Sequence, residues 1–182
     1  MLYFLTGNVQ TGKTRWLLRH IEELEAKGTQ ACGVVAPGVW KKHPDTFEKL
    51  GIDNLLLPDK RLVPFARRDD LARPEDRQRA SQSSQAHLHW VVYDDAITQV
   101  NEHFDKLARI ESPGSRVLIV DELGQMELIY GTGLTSAVAL LDRGATPAFP
   151  DAIVVVREKL LEAAKDRFAD ASWNGMQDLF TR

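Results

Sequence analysis

The chain has 182 residues, of which 43% are hydrophobic and 27% charged, and its formal net charge is -3. This length suits one domain with a full α/β core, and the composition is ordinary for a globular protein. The acidic balance gives no indication of a nucleic-acid-binding surface, since such domains carry a basic excess. No stretch approaches the ~20 consecutive apolar residues of a membrane span, and the apolar N-terminal stretch is too short for a signal peptide. We therefore expect a cytoplasmic protein with neither a nucleic-acid nor a membrane partner.

The single cysteine lies in an apolar run and cannot form an intramolecular disulfide. We interpret Cys32 as a buried, inert thiol, because reactive cysteines lie in exposed, electropositive surroundings. No histidine or cysteine cluster has the spacing of metal ligands.

The first forty residues predict a βαβ unit. Residues 2–6 form a short apolar run that Gly7 interrupts, which is typical of a buried strand. A helix follows from Lys13, with apolar residues at helical spacing, and Gly28 ends it. Residues 31–36 are again apolar and predict a second buried strand.

The middle of the chain has weaker patterns. Two apolar stretches, 55–57 and 62–64, flank a turn-like sequence and predict a hairpin off the main sheet. Residues 66–86 are rich in Arg, Asp, Gln and Ser and show no sustained period, so we expect a mobile or loosely helical surface segment. We expect residues 40–88 to form an irregular, mobile insert, after which residues 88–93 predict a strand.

The second half of the chain alternates apolar strands with amphipathic helices. It predicts helices over 97–107, 134–141 and 161–168 and strands over 117–120 and 153–156. Fully apolar strands that alternate with helices indicate a mostly parallel central sheet with helices on both faces. The predicted fold class is therefore α/β, as one domain spanning residues 1–182.

Residues 7–14 match the phosphate-loop pattern G-x-x-x-x-G-K-[ST] in full, between a predicted strand and a predicted helix. Glycines at both ends permit a tight turn, so that backbone N–H groups and the positive helix end face an anion. Lys13 would bind the β and γ phosphates, and the Thr14 hydroxyl would bind Mg2+. The predicted nucleotide-binding residues are Gly7, Asn8, Val9, Gln10, Thr11, Gly12, Lys13, Thr14 and Arg15.

A second acidic motif follows the apolar strand at 117–120. Magnesium bound to phosphates needs an acidic residue at the end of a neighbouring strand, and Asp121 fills this position. Glu122, the next residue, is a candidate for the base that orients or deprotonates the attacking water. The alternative interpretation is an ordinary acidic helix cap or solvated turn.

The segment AspGluLeuGlyGlnMetGluLeu at 121–128 resembles the Asp-Glu-Ile-Gly-x-Met-Glu-Leu motif of the THEP-type (thermostable) nucleoside-triphosphatases. The position of the phosphate loop and the chain length are also similar to that family. The resemblance implies a P-loop NTPase fold of the RecA-like branch, with the acidic strand beside the phosphate-loop strand or one strand away. It implies Mg2+-dependent hydrolysis of nucleoside triphosphates to diphosphates, with catalytic roles for Lys13 and Glu122 and metal-binding roles for Thr14 and Asp121. It also makes Gly124 and Glu127 part of the family motif.

Four further residues are weaker candidates for the same site. Glu127 follows Glu122 closely enough to line the pocket, although a solvated loop carboxylate has the same pattern. Arg67 and Arg68 lie at the edge of the polar segment and are candidates for arginine fingers. Arg157 follows the strand at 153–156, and parallel strands present their carboxyl ends to the ligand crevice.

The aromatic and histidine residues give less information. Trp40, Trp90 and Trp173 are candidates for stacking on a nucleobase, but packing in a core or interface is the commoner role. His87 and His89 lack a third ligand and are weak evidence for a metal.

Three functions fit the motifs. The first is an NTPase that transfers the γ phosphate to water, with ATP or GTP as substrate and Mg2+ as cofactor. The second is a small-molecule or nucleoside kinase in which the insert closes over an acceptor. The third is a nucleotide-controlled binding protein whose insert docks on a protein partner.

Overall fold

A computed structural model describes residues 1–8, 11–85 and 90–180 of the chain. The strands are β1 (Leu2–Thr6), β2 (Gln30–Val35), β3 (Gly38–Lys42), β4 (Phe47–Leu57), β5 (Arg61–Arg68), β6 (Trp90–Val92), β7 (Arg116–Leu123), β8 (Asp151–Val156) and β9 (Met176–Phe180). The α-helices are α1 (Lys13–Ala26), α2 (Pro74–Gln78), α3 (Ser81–Gln85), α4 (Asp94–Leu107), α5 (Gln125–Leu128), α6 (Thr135–Asp142) and α7 (Leu161–Phe168), with short 3-10 helices at Asp69–Leu71 and Glu158–Leu160. In these described ranges, none of the helices has the length and apolar character needed to cross a bilayer.

All the strands join one nine-stranded sheet with the order β6-β5-β4-β2-β7-β8-β1-β9, and β3 pairs with β4 beside this path. Strands β2, β7, β8, β1 and β9 are parallel neighbours. The acidic strand β7 is therefore one strand away from β1, which precedes the phosphate loop. This arrangement confirms the predicted α/β fold class.

Helices cover both faces of the parallel strands. Leu5 of β1 packs on one face with Leu17 and Ile21 of α1. Phe4 points to the other face, where helices α4, α6 and α7 contribute the larger cluster of buried side chains. Consecutive residues of a strand point to opposite faces, so these fully apolar strands are buried on both sides.

The middle of the chain is more regular than the sequence patterns predict. The predicted hairpin is formed by β4 and β5, but it extends the main sheet because β4 pairs antiparallel with β2. Strand β3 adds to β4 beyond the end of β2. The expected irregular insert thus contains three strands, and short helices follow them. The apolar pattern is weak here because β3 and the first residues of β4 are exposed or only partly buried at consecutive positions, so neither face needs an unbroken set of apolar side chains.

Two parts of the fold follow less directly from the sequence. The predicted strand at 88–93 is described as β6, while residues 86–89, which include His87 and His89, lie outside the described residues. Strand β9 pairs in parallel with β1, although its sequence lacks an apolar run. An edge strand can form with little buried apolar surface, because backbone hydrogen bonds to its one neighbouring strand fix its position.

His103 of α4 connects the helix layer to the sheet. Its buried imidazole donates from Nε2 to the carbonyl oxygens of Gly33, at 3.1 Å, and Leu57, at 3.0 Å. Burial lowers the pKa of His103 below its ordinary value. The contribution of His103 to the free energy of unfolding is therefore fully present above the unfolded-state pKa. It is lost as the pH falls through the folded-state pKa, because the unfolded chain then binds a proton that the folded chain excludes.

We expect His103→Leu to lower the free energy of unfolding by about 1–2 kcal/mol at pH 8, because two buried carbonyls lose a donor. The same change should reduce the loss of stability between pH 8 and pH 5.5. Urea unfolding at both pH values measures the two effects. An unchanged pH dependence in the variant would show that His103 is not the group responsible.

Candidate active site

The phosphate loop leaves β1 at the carboxyl edge of the sheet and leads directly into α1. Gly7 has a φ of 146° and Gly12 a φ of 90°, conformations that residues with a Cβ rarely adopt. The Gly12 carbonyl accepts a hydrogen bond of 2.8 Å from the Trp16 amide, so helical bonding begins at the end of the loop. The described part of the loop therefore has the bend expected of a phosphate site, while Val9 and Gln10 lie outside the described residues.

The side chain of Lys13 turns back across this loop. Its Nζ donates to the carbonyl oxygens of Gly7, at 2.8 Å, and Asn8, at 2.7 Å, and the residue is 7% exposed. Burial lowers the pKa of Lys13, while the negative charges of Glu122 and Asp121 oppose this effect. Phosphate oxygens would make stronger, charge-assisted hydrogen bonds with this ammonium than neutral carbonyls do.

Asp121 is buried at the end of β7 and is 2% exposed. Its Oδ2 accepts a hydrogen bond of 3.1 Å from the Ala36 amide. Burial is the largest cause that raises the pKa of Asp121 to about 6. The Thr14 side chain is near enough to lower the pKa of this carboxyl group. The influence of Thr14 on Asp121 indicates that the hydroxyl after the phosphate loop and the carboxylate of the acidic strand lie near each other.

Glu122 lies at an irregularity in the pairing of β7. Asp121 is opposite Val155 and Leu123 is opposite Val156, so Glu122 bulges out of the ladder, and the peptide bond that precedes it is cis. Bulges of this kind redirect a side chain and are frequent beside active sites. The Glu122 side chain is 29% exposed, and its Oε1 accepts a hydrogen bond of 2.7 Å from Nε of Arg157. Adjacent carboxylates thus occupy different environments, one buried and one partly solvated.

The residues around the loop fit a magnesium ion. Mg2+ takes one or two protein oxygens and completes its shell with phosphate and water. Thr14 and Asp121 carry oxygens of the type that could bind it, and over the described ranges no cluster of three His, Cys, Asp or Glu side chains offers an all-protein metal cage.

The three arginines predicted as candidates for the site lie at different distances along the sheet from the acidic pair, and among the described residues only one of them bonds to it. Arg157 follows β8 and reaches Glu122, as described above. Arg68 ends β5, where its guanidinium bonds Glu48 at 2.8 Å and Asp70 at 2.9 Å. Arg67, its neighbour, pairs with Val91 of β6. Within the described residues, neither Arg67 nor Arg68 has a hydrogen bond or ion pair with the acidic pair or with Lys13.

Glu127 connects the segment after Glu122 to the next helix. Its Oε2 accepts from the Gly124 amide at 2.9 Å, and its Oε1 accepts from the Leu134 amide at 3.0 Å. A Cβ added to Gly133 would lie 2.1 Å from Oε1, so the backbone fits closely around this carboxylate. Burial raises the pKa of Glu127, and the hydrogen bonds from Leu134 and Gly124 oppose this effect.

We expect Glu127→Gln to destabilise the fold by about 1–3 kcal/mol, because an amide NH2 would face a backbone N–H that needs an acceptor. Thermal or urea unfolding measures this change. Glu162→Gln is the matched control, since the Glu162 side chain is 83% exposed and bonds only Lys165 among the described residues. Equal stability of the two variants would contradict this supporting role.

Lys49 of β4 is a further candidate for this site, and no sequence pattern indicated it. Its ammonium interacts electrostatically with Glu122, Asp121 and Arg157. It also lies 5.3 Å from the ring centroid of Trp90 and 5.9 Å from that of Trp40. No local spacing marks this lysine, because pairing between distant strands brings it to the site.

The other residues considered from the sequence have packing roles. Trp173 donates from Nε1 to the Leu141 carbonyl at 3.0 Å. Cys32 is 1% exposed, and burial raises its pKa to about 11, as expected of an inert thiol.

The first strand leads into a glycine loop that surrounds a lysine, and one strand separates this first strand from the acidic strand. These elements define a P-loop NTPase. The model of a protein family described as NTPase matches residues 2–167. The chain belongs to this family, the THEP-type NTPases, and the resemblance stated from residues 121–128 is thereby confirmed. Searches of curated proteins and of solved structures found no match. Family membership supports a hydrolase with a nucleotide substrate.

Proposed function

We propose that this protein is a Mg2+-dependent nucleoside-triphosphatase that transfers the γ phosphate to water. One observation carries the proposal: Asp121 and Glu122 occupy unlike environments and both interact electrostatically with the loop lysine, Lys13. The buried carboxylate, whose pKa burial raises and the nearby Thr14 side chain lowers, suits a metal site. The partly exposed carboxylate suits contact with a water molecule.

Phosphate binding is assigned to the loop that runs from Gly7 to Arg15. Its amide groups and the N-terminus of α1 attract the anion, and Lys13 exchanges its carbonyl partners for β- and γ-phosphate oxygens. Thr14 and Asp121 would hold Mg2+, which supplies a positive charge that neutralises the phosphate oxygens.

The proposed reaction breaks the bond between the γ phosphorus and the oxygen that bridges it to the β phosphorus. The water oxygen forms the new bond to phosphorus, the water proton passes to Glu122, and the bridging oxygen leaves on the diphosphate. Glu122 then releases the proton to solvent. Arg157 holds the Glu122 carboxylate in place through its 2.7 Å hydrogen bond and is a positioning residue in this scheme.

A second candidate function is a kinase, which a hollow next to Lys49 favours. This hollow has a volume of about 660 Å³ and is lined by His43, Thr46, Phe47, Glu48, Lys49, Arg68 and Trp90. Its lining combines aromatic rings with positively and negatively charged side chains, so it would suit a small polar acceptor. The nucleotide-controlled binding protein remains a hypothesis without a structural feature that favours it.

The test is a panel of ATP, GTP, CTP and UTP with Mg2+, in which diphosphate and inorganic phosphate are both measured, with and without candidate acceptors. The proposal expects equal amounts of diphosphate and phosphate without any acceptor, and no reaction after chelation of Mg2+. Phosphorylation of an acceptor, with negligible phosphate release in its absence, would identify a kinase instead. Negligible turnover under all conditions would contradict both enzymatic functions.

A further inference from the structure

The antiparallel strands beyond β2 form a wall next to the acidic pair. We define this wall as β3 and residues 47–51 of β4. The chain connects it to the site within a few residues, because the amide of Ala36 bonds Asp121 at 3.1 Å and Gly38 begins β3. A Cβ added to Gly38 would lie 2.9 Å from Cε of Lys49. The aliphatic stem of Lys49 therefore crosses Gly38, two residues beyond the amide that bonds the buried carboxylate.

Two indole rings hold the Lys49 ammonium. Its Nζ is 5.3 Å from the Trp90 ring centroid and 5.9 Å from the Trp40 ring centroid, both within the range of a cation–π interaction. In the part of the chain that the structure describes, no carboxylate lies within ion-pair distance of this Nζ. The wall thus holds a partly buried positive charge in place without an anionic partner in contact with it.

The charges around the acidic pair are arranged to receive a further anion. Lys13 acts on Glu122 and Asp121 from the phosphate loop, and Lys49 acts on the same carboxylates from the wall. Arg157 adds a third cation. Three cations therefore act on these two carboxylates. A triphosphate held by the loop would bring its terminal phosphate towards the carboxylates on which both lysines act.

We propose that Lys49 binds the γ-phosphoryl group of the substrate and stabilises the charge on its oxygens during transfer. The proposal rests on the proposed function, in which Glu122 takes the proton of the attacking water. Lys49 supplies from the same chain the cation that arginine fingers provide in other phosphoryl-transfer enzymes. It replaces Arg68 in that role, since Glu48 in the wall and Asp70 outside it already hold the Arg68 guanidinium.

This role predicts selectivity between nucleotides. A diphosphate ends at the β phosphate, so Lys49 contributes to the binding of a triphosphate, and of a diphosphate–aluminium fluoride complex, but not to that of a diphosphate. Lys49→Met keeps the length of the stem over Gly38 and between the indoles and removes the charge. Lys49→Arg restores a cation. Lys42→Met is the control, because Lys42 lies in the same wall and is exposed.

The experiment measures kcat, KM and the dissociation constants of diphosphate and of diphosphate–aluminium fluoride for these variants. For Lys49→Met we expect kcat and the affinity for the aluminium fluoride complex to fall by about 10²-fold, as for the loss of one donor to a developing charge. The diphosphate affinity should change less than about 3-fold, Lys49→Arg should regain part of kcat, and Lys42→Met should match the native protein.

Two results would overturn this role. One is native kcat in Lys49→Met. The other is an equal loss of affinity for diphosphate and for its aluminium fluoride complex, which would indicate a structural effect on the loop. If the native protein releases no phosphate, the proposed function fails independently. The contact between Lys49 and the γ phosphate is then tested by the ratio of the affinities for a non-hydrolysable triphosphate and a diphosphate. This ratio should fall in Lys49→Met, and an unchanged ratio would refute the contact.

Discussion

Glu122→Gln is expected to lower kcat by about 10²–10⁴-fold, the usual contribution of a general base. The amide cannot take the proton of the attacking water. Its oxygen can still accept the hydrogen bond from Nε of Arg157, which measures 2.7 Å in the native protein, so the side chain should keep its position. Nucleotide affinity should therefore change little, because the phosphate loop and Asp121 are unaltered.

Phosphate release under multiple turnover and equilibrium binding of a non-hydrolysable triphosphate measure the two quantities separately. Glu158→Gln is the matched control, since Glu158 is an exposed glutamate in the turn after β8. If Glu122→Gln and the native protein release phosphate at the same rate, Glu122 is not the base. If the variant also loses affinity, the carboxylate has a binding role that this scheme does not contain.

Lys13→Ala should reduce triphosphate affinity by about 10²-fold, since it removes charge-assisted hydrogen bonds to phosphate from a water-poor site. Hydrolysis should fall to background. In the native chain Lys13 is 7% exposed and bonded to Gly7 and Asn8, so its ammonium is already held in the loop before a ligand arrives. Little conformational freedom remains to be lost on binding.

Calorimetric titration with a non-hydrolysable triphosphate and Mg2+ measures this affinity, and urea unfolding shows whether the variant is folded. Lys27→Ala serves as a control on the same helix, because Lys27 is exposed at the carboxyl end of α1. Unchanged affinity in a folded Lys13→Ala variant would contradict the assignment of the loop as the phosphate site.

Short sequence patterns were sufficient to predict the candidate site residues that lie close together in the chain. The loop from Gly7 to Thr14 needs glycines, a lysine and a hydroxyl at fixed spacing, and these requirements can be read without knowing any distant contact. Asp121 and Glu122 follow a continuous apolar strand, so their place at the carboxyl edge was also predictable. The position of Arg157 follows from the same rule.

The position of Lys49 could not be predicted in this way. It depends on the pairing of β4 with β2 and β3 and on Trp40 and Trp90, which flank the Lys49 ammonium. These contacts depend on the register between strands, which no short window of sequence specifies. The structural role of Glu127 was equally unpredictable, because its carboxylate accepts hydrogen bonds from two separate backbone segments, at Gly124 and Leu134.

The backbone between β1 and α1 is the proposed binding site for the phosphate tail of the substrate. The most direct test of this site is a titration of the 15N-labelled protein with Mg2+ and inorganic tripolyphosphate, which has neither base nor sugar, while amide resonances are recorded. Saturable shifts of the Gly12, Lys13 and Thr14 amides are the expected result. Loop amides that stay unchanged at saturating tripolyphosphate, or shifts confined to another surface, would contradict this proposed site.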